Sequence, residues 1–397
     1  MKINKFNILT INSFLLSPIL SIPFITLQLR KRNDTIVSLL FSLIIGFFSL
    51  RYVPSFSNDK VRYIERSELF ADYSLGDLLL YFKAVNRPDY VFDLLNFAFS
   101  KASIDIKYFF FVITSLSVFL TFIASKKIVK SVTNSDFIYS NSSFFLILFS
   151  FSAINVLSGL RFFLAGSIFL WFLYFLYFKQ MYLRAFLILL LAIATHFSYS
   201  LILVATIFAI LNQNFKFPRV LLISSLVFFI LPNSFLMNIF SLLSLPSGYL
   251  TKVEAYTLSE TVYTDSGIIL SLIRNSWYYF AIAFMLFYKS SKNDKFYILI
   301  VFLMVFINLT YSLPIVFSRY VTYVRIVFAI YLVYLLLNNR NKKNVIIVFS
   351  FLALFSLSVY TDLFIVLRYN IERSYSIETM WSIYHIITED EGLYDYL

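Results

Sequence analysis

The chain has no cysteine, two histidines and few charged residues, and each scarcity excludes a class of chemistry. Without cysteine it forms no disulfide and has no thiolate nucleophile or Cys-ligated metal. Two histidines, His196 and His385, argue against a multi-histidine metal site. Charged residues make up 14% of the chain and hydrophobic residues 60%, whereas soluble domains carry about 25% charged residues. The composition therefore predicts a membrane protein without metal or cofactor and excludes a soluble catalytic domain.

Long apolar runs follow one another along the chain and predict membrane-spanning helices. A bilayer core about 30 Å thick needs about 20 apolar residues in a helix. We predict an all-α, polytopic protein, one membrane domain over residues 1–397, with about twelve transmembrane helices. The predicted spans are Ile8–Leu29, Thr35–Tyr52, Tyr108–Ala124, Ser143–Leu157, Leu160–Phe178, Tyr182–Thr195, Ser198–Leu211, Phe217–Ile239, Gly267–Tyr288, Phe296–Leu313, Tyr320–Leu337 and Asn344–Leu367. The first run lacks a small-residue cleavage site, so we expect it to be retained.

Loop charge supports dividing two long apolar runs, one at Ser158-Gly159-Leu160-Arg161 and the other around Thr195-His196. With twelve spans, the loops on one side hold 16 of the 33 basic residues and three of the 21 acidic residues. The formal charges of the two sides are then +13 and −1. By the positive-inside rule the +13 side is cytoplasmic, which places both termini on the outer side of the membrane, periplasmic or extracellular. The net charge of +12 therefore reflects membrane topology, and we do not expect nucleic acid as a partner.

Three segments on the predicted periplasmic side are long enough to matter: 53–107, 240–266 and 368–397. The first forms a large periplasmic loop after the second span. It contains an amphipathic stretch, Leu75–Ala84, and an apolar stretch, Tyr90–Phe99. We expect short helices at the membrane interface in both stretches.

Ionisable residues at membrane depth are costly and are therefore candidates for function. Arg51 and Asp59 follow the second span, in a segment with three cations and two tyrosines. The alternative is a snorkelling Arg51 and a surface pair between Asp59 and Arg62. Arg161 lies in a long apolar region beside Gly159 and other small residues, which permit close approach of a helix or ligand. Its alternative role is that of a helix-end anchor.

His196 is the single ionisable group in a run of 30 residues, where two short predicted spans meet. Its near-neutral pKa suits proton transfer, although such a histidine is also often only a satisfied hydrogen-bonding group. Three further cations, Arg274, Arg319 and Arg325, lie near the periplasmic ends of late spans, as interface anchors or as ligands. The planar guanidinium fits phosphate oxygens, so the arginines together indicate a lipid-linked phosphate or pyrophosphate.

Several short motifs resemble the EpsG-like, Wzy-type polysaccharide polymerases of bacterial surface-glycan clusters. The order, spacing and sidedness of these motifs carry the resemblance over most of the chain. They are Leu50-Arg51-Tyr52, Asn58-Asp59-Lys60-Val61-Arg62-Tyr63, Pro88-Asp89-Tyr90-Val91-Phe92-Asp93-Leu94-Leu95-Asn96, Leu160-Arg161-Phe162-Phe163-Leu164-Ala165, Ala194-Thr195-His196-Phe197-Ser198, Arg319-Tyr320 and Arg325.

The resemblance implies a glycosyltransferase that joins undecaprenyl-diphosphate-linked oligosaccharide repeats into O antigen or capsular polysaccharide on the periplasmic face. Donor and acceptor are both lipid-linked, the bilayer is a partner, and a chain-length regulator protein is a further possible one. Arg161, Arg319 and Arg325, with Arg51 and Arg274, would bind the diphosphate. His196 or Asp59 would be the base or would orient the acceptor. No metal is needed if the arginines carry the charge.

Two other classes stay open at this stage. One is a flippase for lipid-linked oligosaccharides, although seven glycines and eight prolines are few for a transporter with broken helices. The other is an O-antigen ligase or a membrane acyltransferase. An acyltransferase usually needs a cytoplasmic donor site, whereas the deep charges here lie on the predicted periplasmic side.

Overall fold

The computed structural model describes residues 5–30, 33–52, 59–85, 90–133, 137–232, 265–288, 294–338 and 342–370. Within these residues the protein is all-α and has no strand, as the sequence predicts. The helices are α1 (Lys5–Leu16), α2 (Ile22–Arg30), α3 (Asp34–Arg51), α4 (Asp59–Asp72), α5 (Leu75–Val85), α6 (Val91–Lys101), α7 (Ile106–Thr133), α8 (Asn141–Phe149), α9 (Ala153–Leu157), α10 (Leu160–Leu173), α11 (Tyr182–Thr195), α12 (Tyr199–Leu211), α13 (Pro218–Ser225), α14 (Asp265–Phe287), α15 (Lys295–Leu309), α16 (Pro314–Asn338) and α17 (Lys342–Asn370). A π-helical turn, Tyr174–Phe178, extends α10, and a 3₁₀ turn, Leu226–Phe229, extends α13.

Six of the described helices are long and apolar enough to cross a bilayer: α3, α7, α10 with its π-helical turn, α14, α16 and α17. Five shorter apolar helices of 10–17 residues accompany them among the described residues. This architecture is that of a polytopic membrane protein. The number of twelve spans stays a prediction.

Two predicted spans are interrupted in the structure. The first, Ile8–Leu29, is divided into α1 and α2, and Pro23 lies in the first turn of α2, where proline is well tolerated. The fourth, Ser143–Leu157, is divided into α8 and α9, and the Ser152 side chain caps α9 by accepting a hydrogen bond from the backbone N–H of Asn155. Hydropathy misses such breaks because their residues are small or apolar.

The two divisions predicted from loop charge are confirmed as helix boundaries. Helix α9 ends at Leu157, and α10 begins at Leu160 after Gly159. Helix α11 ends at Thr195, and α12 begins at Tyr199. His196 therefore lies in the turn between α11 and α12, and Arg161 lies in the first turn of α10, directly after the linker from α9.

Helix α16 is the centre of the bundle. Every residue from Tyr320 to Val333 is buried, so this helix is enclosed on all sides. Elsewhere, α3 packs against α7 at Gly46, where an added methyl group would overlap the hydroxyl of Ser115. Small residues thus allow close approach between helices that are apolar over most of their surface.

Contacts between helix ends agree with the predicted sidedness of the loops. The Asp34 carboxylate lies 2.9 Å from the Lys126 ammonium, and Arg219 donates a hydrogen bond of 2.7 Å to the carbonyl of Tyr288. In both pairs the partners lie in loops, or at the ends of predicted spans, that the charge count assigns to the cytoplasmic side. Which side of the membrane this is stays a prediction.

Helices occupy both stretches that the sequence marks after the second span. Helix α5 packs Leu78 against Phe70 of α4 and Phe97 of α6, and it exposes Leu79 and Leu80 on the opposite face. The motif residues 53–58 and 86–89, and most of segments 240–266 and 368–397, lie outside the described residues. Helices α4 and α6 are the part of the large loop that reaches the candidate site.

Candidate functional site

Four of the seven predicted site residues come together at one end of the bundle. They are Asp59, Arg161, His196 and Arg319, and we refer to them as the candidate cluster. Arg274 and Arg325 lie in a second, more deeply buried group, whereas Arg51 lies at the end of α3. The geometry of each is described in turn.

Asp59 and Arg319 form an ion pair between α4 and α16, with 3.7 Å between the Asp59 carboxylate and the Arg319 guanidinium. Asp59 is the first residue of α4, where a negative charge is favoured by the helix dipole. It also contacts Arg62, one turn further along α4. Asp59 and Arg319 are 25% and 30% exposed, so the pair remains accessible from outside the bundle.

Arg161 lies in the first turn of α10, immediately after the break at Ser158-Gly159. It is close enough to α4 to act on Tyr63. Burial raises the pKa of Tyr63 to about 12, while the positive charge of Arg161 opposes that rise and the negative charge of Asp59 adds to it. The buried phenol thus lies within electrostatic range of both Arg161 and Asp59.

The N-terminal helices of the large loop hold this arrangement in place. Arg66 of α4 donates to Asp93 of α6 over 2.9 Å, and Asn96 donates to the carbonyl of Tyr63 over 3.0 Å. Tyr63 also packs against Phe92, with 4.6 Å between the ring centres. Helix α6 therefore fixes the position of α4, and with it the position of Asp59.

His196 ends α11, and its ring is held by the turn that follows. The backbone N–H of Ser198 donates to Nδ1 of His196 over 3.3 Å, and the Ser198 hydroxyl lies 2.7 Å from the same atom. Because Nδ1 accepts a backbone hydrogen bond, the neutral ring carries its proton on Nε2. In this tautomer Nε2 is a hydrogen-bond donor.

Aromatic side chains join the His196 turn to the other two elements of the candidate cluster. The ring of Phe162, which follows Arg161, lies edge-on to His196 at 5.5 Å. The hydroxyl of Tyr320, which follows Arg319, donates to the carbonyl of Ser198 over 3.0 Å. The turn therefore contacts the first turn of α10 and the second turn of α16.

Arg51 is buried in the last turn of α3, and its neighbour Tyr52 packs against Leu157 at the end of α9. The fully buried Lys60 donates to the carbonyl of Ser49 over 2.6 Å and so caps α3. Burial lowers the pKa of Lys60 well below its ordinary value. Lys60 therefore ties the start of α4 to the end of α3.

The second group contains two predicted ligands and one residue that the prediction missed. Arg274 of α14 forms an ion pair with Asp362 of α17, at 2.6 Å between Nε and a carboxylate oxygen. Arg325 of α16 donates to the carbonyl of Ser150 over 2.7 Å and to the hydroxyl of Ser358. We refer to Arg274, Arg325 and Asp362 as the buried charge network.

The sequence indicated some of the site residues that the prediction did not include. Asp362 is the single acidic residue within the twelve predicted spans, and an acid at that depth indicates a paired or functional group. Asp93 lies inside a segment already quoted for the family resemblance. Tyr63 ends another of the quoted motifs, whereas nothing in the local pattern of Arg66 indicates its pairing with Asp93.

Comparison with known proteins identifies the family of this chain. The model of the EpsG family matches residues 34–372, a range that includes every residue of the candidate cluster and of the buried charge network. No curated protein and no solved structure matches the chain. This chain belongs to the EpsG family, the family of Wzy-type polysaccharide polymerase-like proteins.

Proposed function

We propose that this protein is a membrane glycosyltransferase that polymerises undecaprenyl-diphosphate-linked oligosaccharide repeats at the periplasmic face of the inner membrane. The observation that carries the proposal is the candidate cluster itself. In a member of this family, two arginines, a carboxylate and a histidine from four distant segments meet at one accessible end of the bundle. The product is a surface polysaccharide such as O antigen or capsule.

The reaction transfers the growing chain from its lipid diphosphate to a sugar hydroxyl of a new lipid-linked repeat. The bond between the anomeric carbon and the diphosphate oxygen breaks, and a bond to the acceptor oxygen forms. Undecaprenyl diphosphate departs with the electron pair, and the acceptor hydroxyl loses its proton. The enzyme must therefore stabilise negative charge on the leaving group and receive one proton.

Arg161 and Arg319 suit the first requirement. A guanidinium offers paired N–H donors that match two oxygens of a phosphate group, and it keeps its charge when partly buried. The two side chains reach the same region from α10 and α16, which matches a ligand with two phosphate groups. We assign them to the leaving diphosphate.

Asp59 and His196 suit the second requirement in different ways. Because Nδ1 of His196 accepts the N–H of Ser198, Nε2 presents a proton and orients the acceptor oxygen by donating a hydrogen bond. Asp59 is the carboxylate of the candidate cluster and has an oxygen facing Arg319. We assign proton removal to Asp59 and acceptor orientation to His196.

A deletion strain and a reconstituted reaction test the proposal together. Loss of a polymerase leaves the surface core with a single repeat, whereas loss of a flippase or a ligase leaves no repeat on the core. Lipid-linked repeat isolated from the deletion strain should be converted by purified protein into a glycan ladder with release of undecaprenyl diphosphate. A deletion strain without any repeat on its core, or purified protein that releases no lipid diphosphate, would contradict the proposal.

A further inference from the structure

Charged groups from other helices contact the connection between α8 and α9, which precedes Arg161 in the chain. We refer to this connection, residues 150–152, as the break. Helix α8 ends at Phe149 and α9 begins at Ala153, so Ser150 and Ser152 lie in the connection. The Ser152 hydroxyl donates to the Asp362 carboxylate over 2.6 Å. Asp362 is in turn paired with Arg274. One face of the break is thus attached to α17 and α14.

Helix α16 holds the other face of the same break. Arg325 donates to the carbonyl of Ser150 over 2.7 Å. One turn earlier, Thr322 accepts a hydrogen bond of 2.5 Å from the Asn155 side chain of α9. Arg319, a further turn earlier, faces Asp59. Successive turns of α16 therefore contact the break, the helix before Arg161 and the candidate cluster.

The buried charge network offers little room for a substrate. The Asp362 side chain is fully buried and that of Arg274 is 17% exposed. One Asp362 oxygen lies 2.6 Å from Nε of Arg274, and the other accepts the hydrogen bond from Ser152. The cavity beside the network is lined by Ser152, Asn155 and Thr322 among others and measures about 10 Å³, room for about one water molecule. A diphosphate does not fit there.

We propose that Asp362, Arg274 and Arg325 are positioning residues that hold the break at residues 150–152 and thereby aim Arg161 at the candidate cluster. The inference rests on the proposed function of that cluster. Displacement of a catalytic group by about 1 Å can reduce turnover about a hundredfold. Removal of one charge from the network leaves its partner buried and uncompensated, which shifts the break and α9 with it.

A double-mutant comparison separates positioning from substrate binding. We expect Asp362→Asn and Arg274→Met each to reduce turnover about tenfold or more, with KM for the lipid-linked repeat changed less than about threefold. Combining Arg274→Met with Asp362→Leu removes both charges, and turnover should recover at least partly relative to Arg274→Met. A double variant as slow as Arg274→Met, with a raised KM, would assign Arg274 to the substrate and overturn the inference.

A second measurement, the reactivity of an introduced thiol, does not depend on polymerisation activity. Since the chain has no cysteine, Ser158→Cys introduces a single thiol in the linker between α9 and α10. In membranes, Asp362→Asn should change the reaction rate of that thiol with a polar thiol reagent by about threefold or more. Ser356→Ala is the matched control, because its hydroxyl bonds only to the backbone of its own helix. An unchanged thiol rate and unchanged turnover in Asp362→Asn would overturn the inference.

The two proposals fail in distinguishable ways. If the unaltered protein forms no polymer, the proposed function fails, while the thiol rate still reports whether the network holds the linker. If Asp362→Asn is absent from membranes, Ser152→Ala replaces it, because this change removes the hydrogen bond to the break and leaves the ion pair in place. A normal thiol rate in Ser152→Ala would then contradict the inference.

Discussion

The guanidinium of Arg319 lies 3.7 Å from the carboxylate of Asp59, although the two residues come from nearly opposite ends of the chain. The contact joins α4 of the large loop to α16, the most enclosed of the six long helices among the described residues. Because both side chains are partly exposed, the pair contributes little to stability, on the order of 0–1 kcal/mol. Its position beside Arg161 and His196 instead indicates a role in the reaction.

Replacement of either partner should therefore affect polymerisation more than stability. We expect Asp59→Asn and Arg319→Ala each to reduce chain extension about a hundredfold, with an unfolding temperature within a few degrees of that of the unaltered protein. The measurement is the glycan ladder beside a thermal melt in detergent. Arg62→Ala is the control, since Arg62 also contacts Asp59 but is 61% exposed. A full ladder from Arg319→Ala at normal protein level would remove this pair from the site.

Substitutions of Arg161 distinguish a role in binding phosphate from a role as a helix-end anchor. Lysine keeps the charge and loses the planar fork, so an anchor tolerates Arg161→Lys and a diphosphate ligand does not. We expect Arg161→Lys to shorten the polymer and Arg161→Ala to leave the single-repeat product, both at normal levels on a membrane immunoblot. Arg184→Ala, at an exposed position of α11, is the control and should give a full ladder. The same full ladder from Arg161→Ala would exclude the ligand role.

Substitutions of His196 test its assigned role, which is to orient the acceptor by donating a hydrogen bond from Nε2. Glutamine places an amide donor near the position of Nε2, so His196→Gln should retain about a tenth or more of the polymerisation rate. His196→Ala removes the donor and should reduce the rate about a hundredfold. Equal losses in both variants would show that the ring carries the proton itself. Normal chains from His196→Ala would return His196 to a structural role.

Loop charge supported the division of two long apolar runs, one next to Arg161 and the other next to His196. The alternation of sides constrains where long apolar runs are divided, and the structure confirms both divisions. The break at Ser150–Ser152 was not predictable in this way, because it adds no charged loop and leaves the hydropathy high. Its residues contact Asp362 and Arg325, which lie far away in sequence.

The separation of the arginines into two groups also required the structure. In sequence, Arg319 and Arg325 lie six residues apart and differ by about 120° around a helix, so they need not share a target. The structure places Arg319 against Asp59 and Arg325 against Ser150. Which helix faces which side chain depends on long-range packing, and hydrophobic periodicity within one helix does not encode it.

The sidedness of the loops is testable without activity. The predicted charges of +13 and −1 place Lys127 and Lys342 in the cytoplasm and Asp72 in the periplasm. Alkaline phosphatase fusions should therefore be active at Asp72 and inactive at Lys127 and Lys342, with the opposite pattern for green fluorescent protein. A fusion after Leu397 should report the periplasm. A cytoplasmic C-terminus would mean that the number of spans is odd.

Gly166 allows close packing of α10 against Tyr199, the first residue of α12. An added methyl group would overlap the hydroxyl of Tyr199 and approach its Cζ to 3.2 Å. Tyr199 begins α12 directly after the turn, and its hydroxyl donates to the carbonyl of Phe162 over 3.1 Å. This contact fixes the turn against the first residues of α10. A residue larger than glycine at this position must push the two apart.

We therefore expect Gly166→Ala to lower the free energy of unfolding by about 1–3 kcal/mol and to shorten the polymer. Adding Tyr199→Phe removes the overlapping hydroxyl, so the double variant should be more stable than Gly166→Ala and make longer chains. Gly76→Ala is the matched control, because its added methyl meets only the Ser74 hydroxyl at an ordinary 3.5 Å. Thermal unfolding and the glycan ladder measure both effects. If Gly166→Ala matched the unaltered protein in both, close packing at Tyr199 would not position the site.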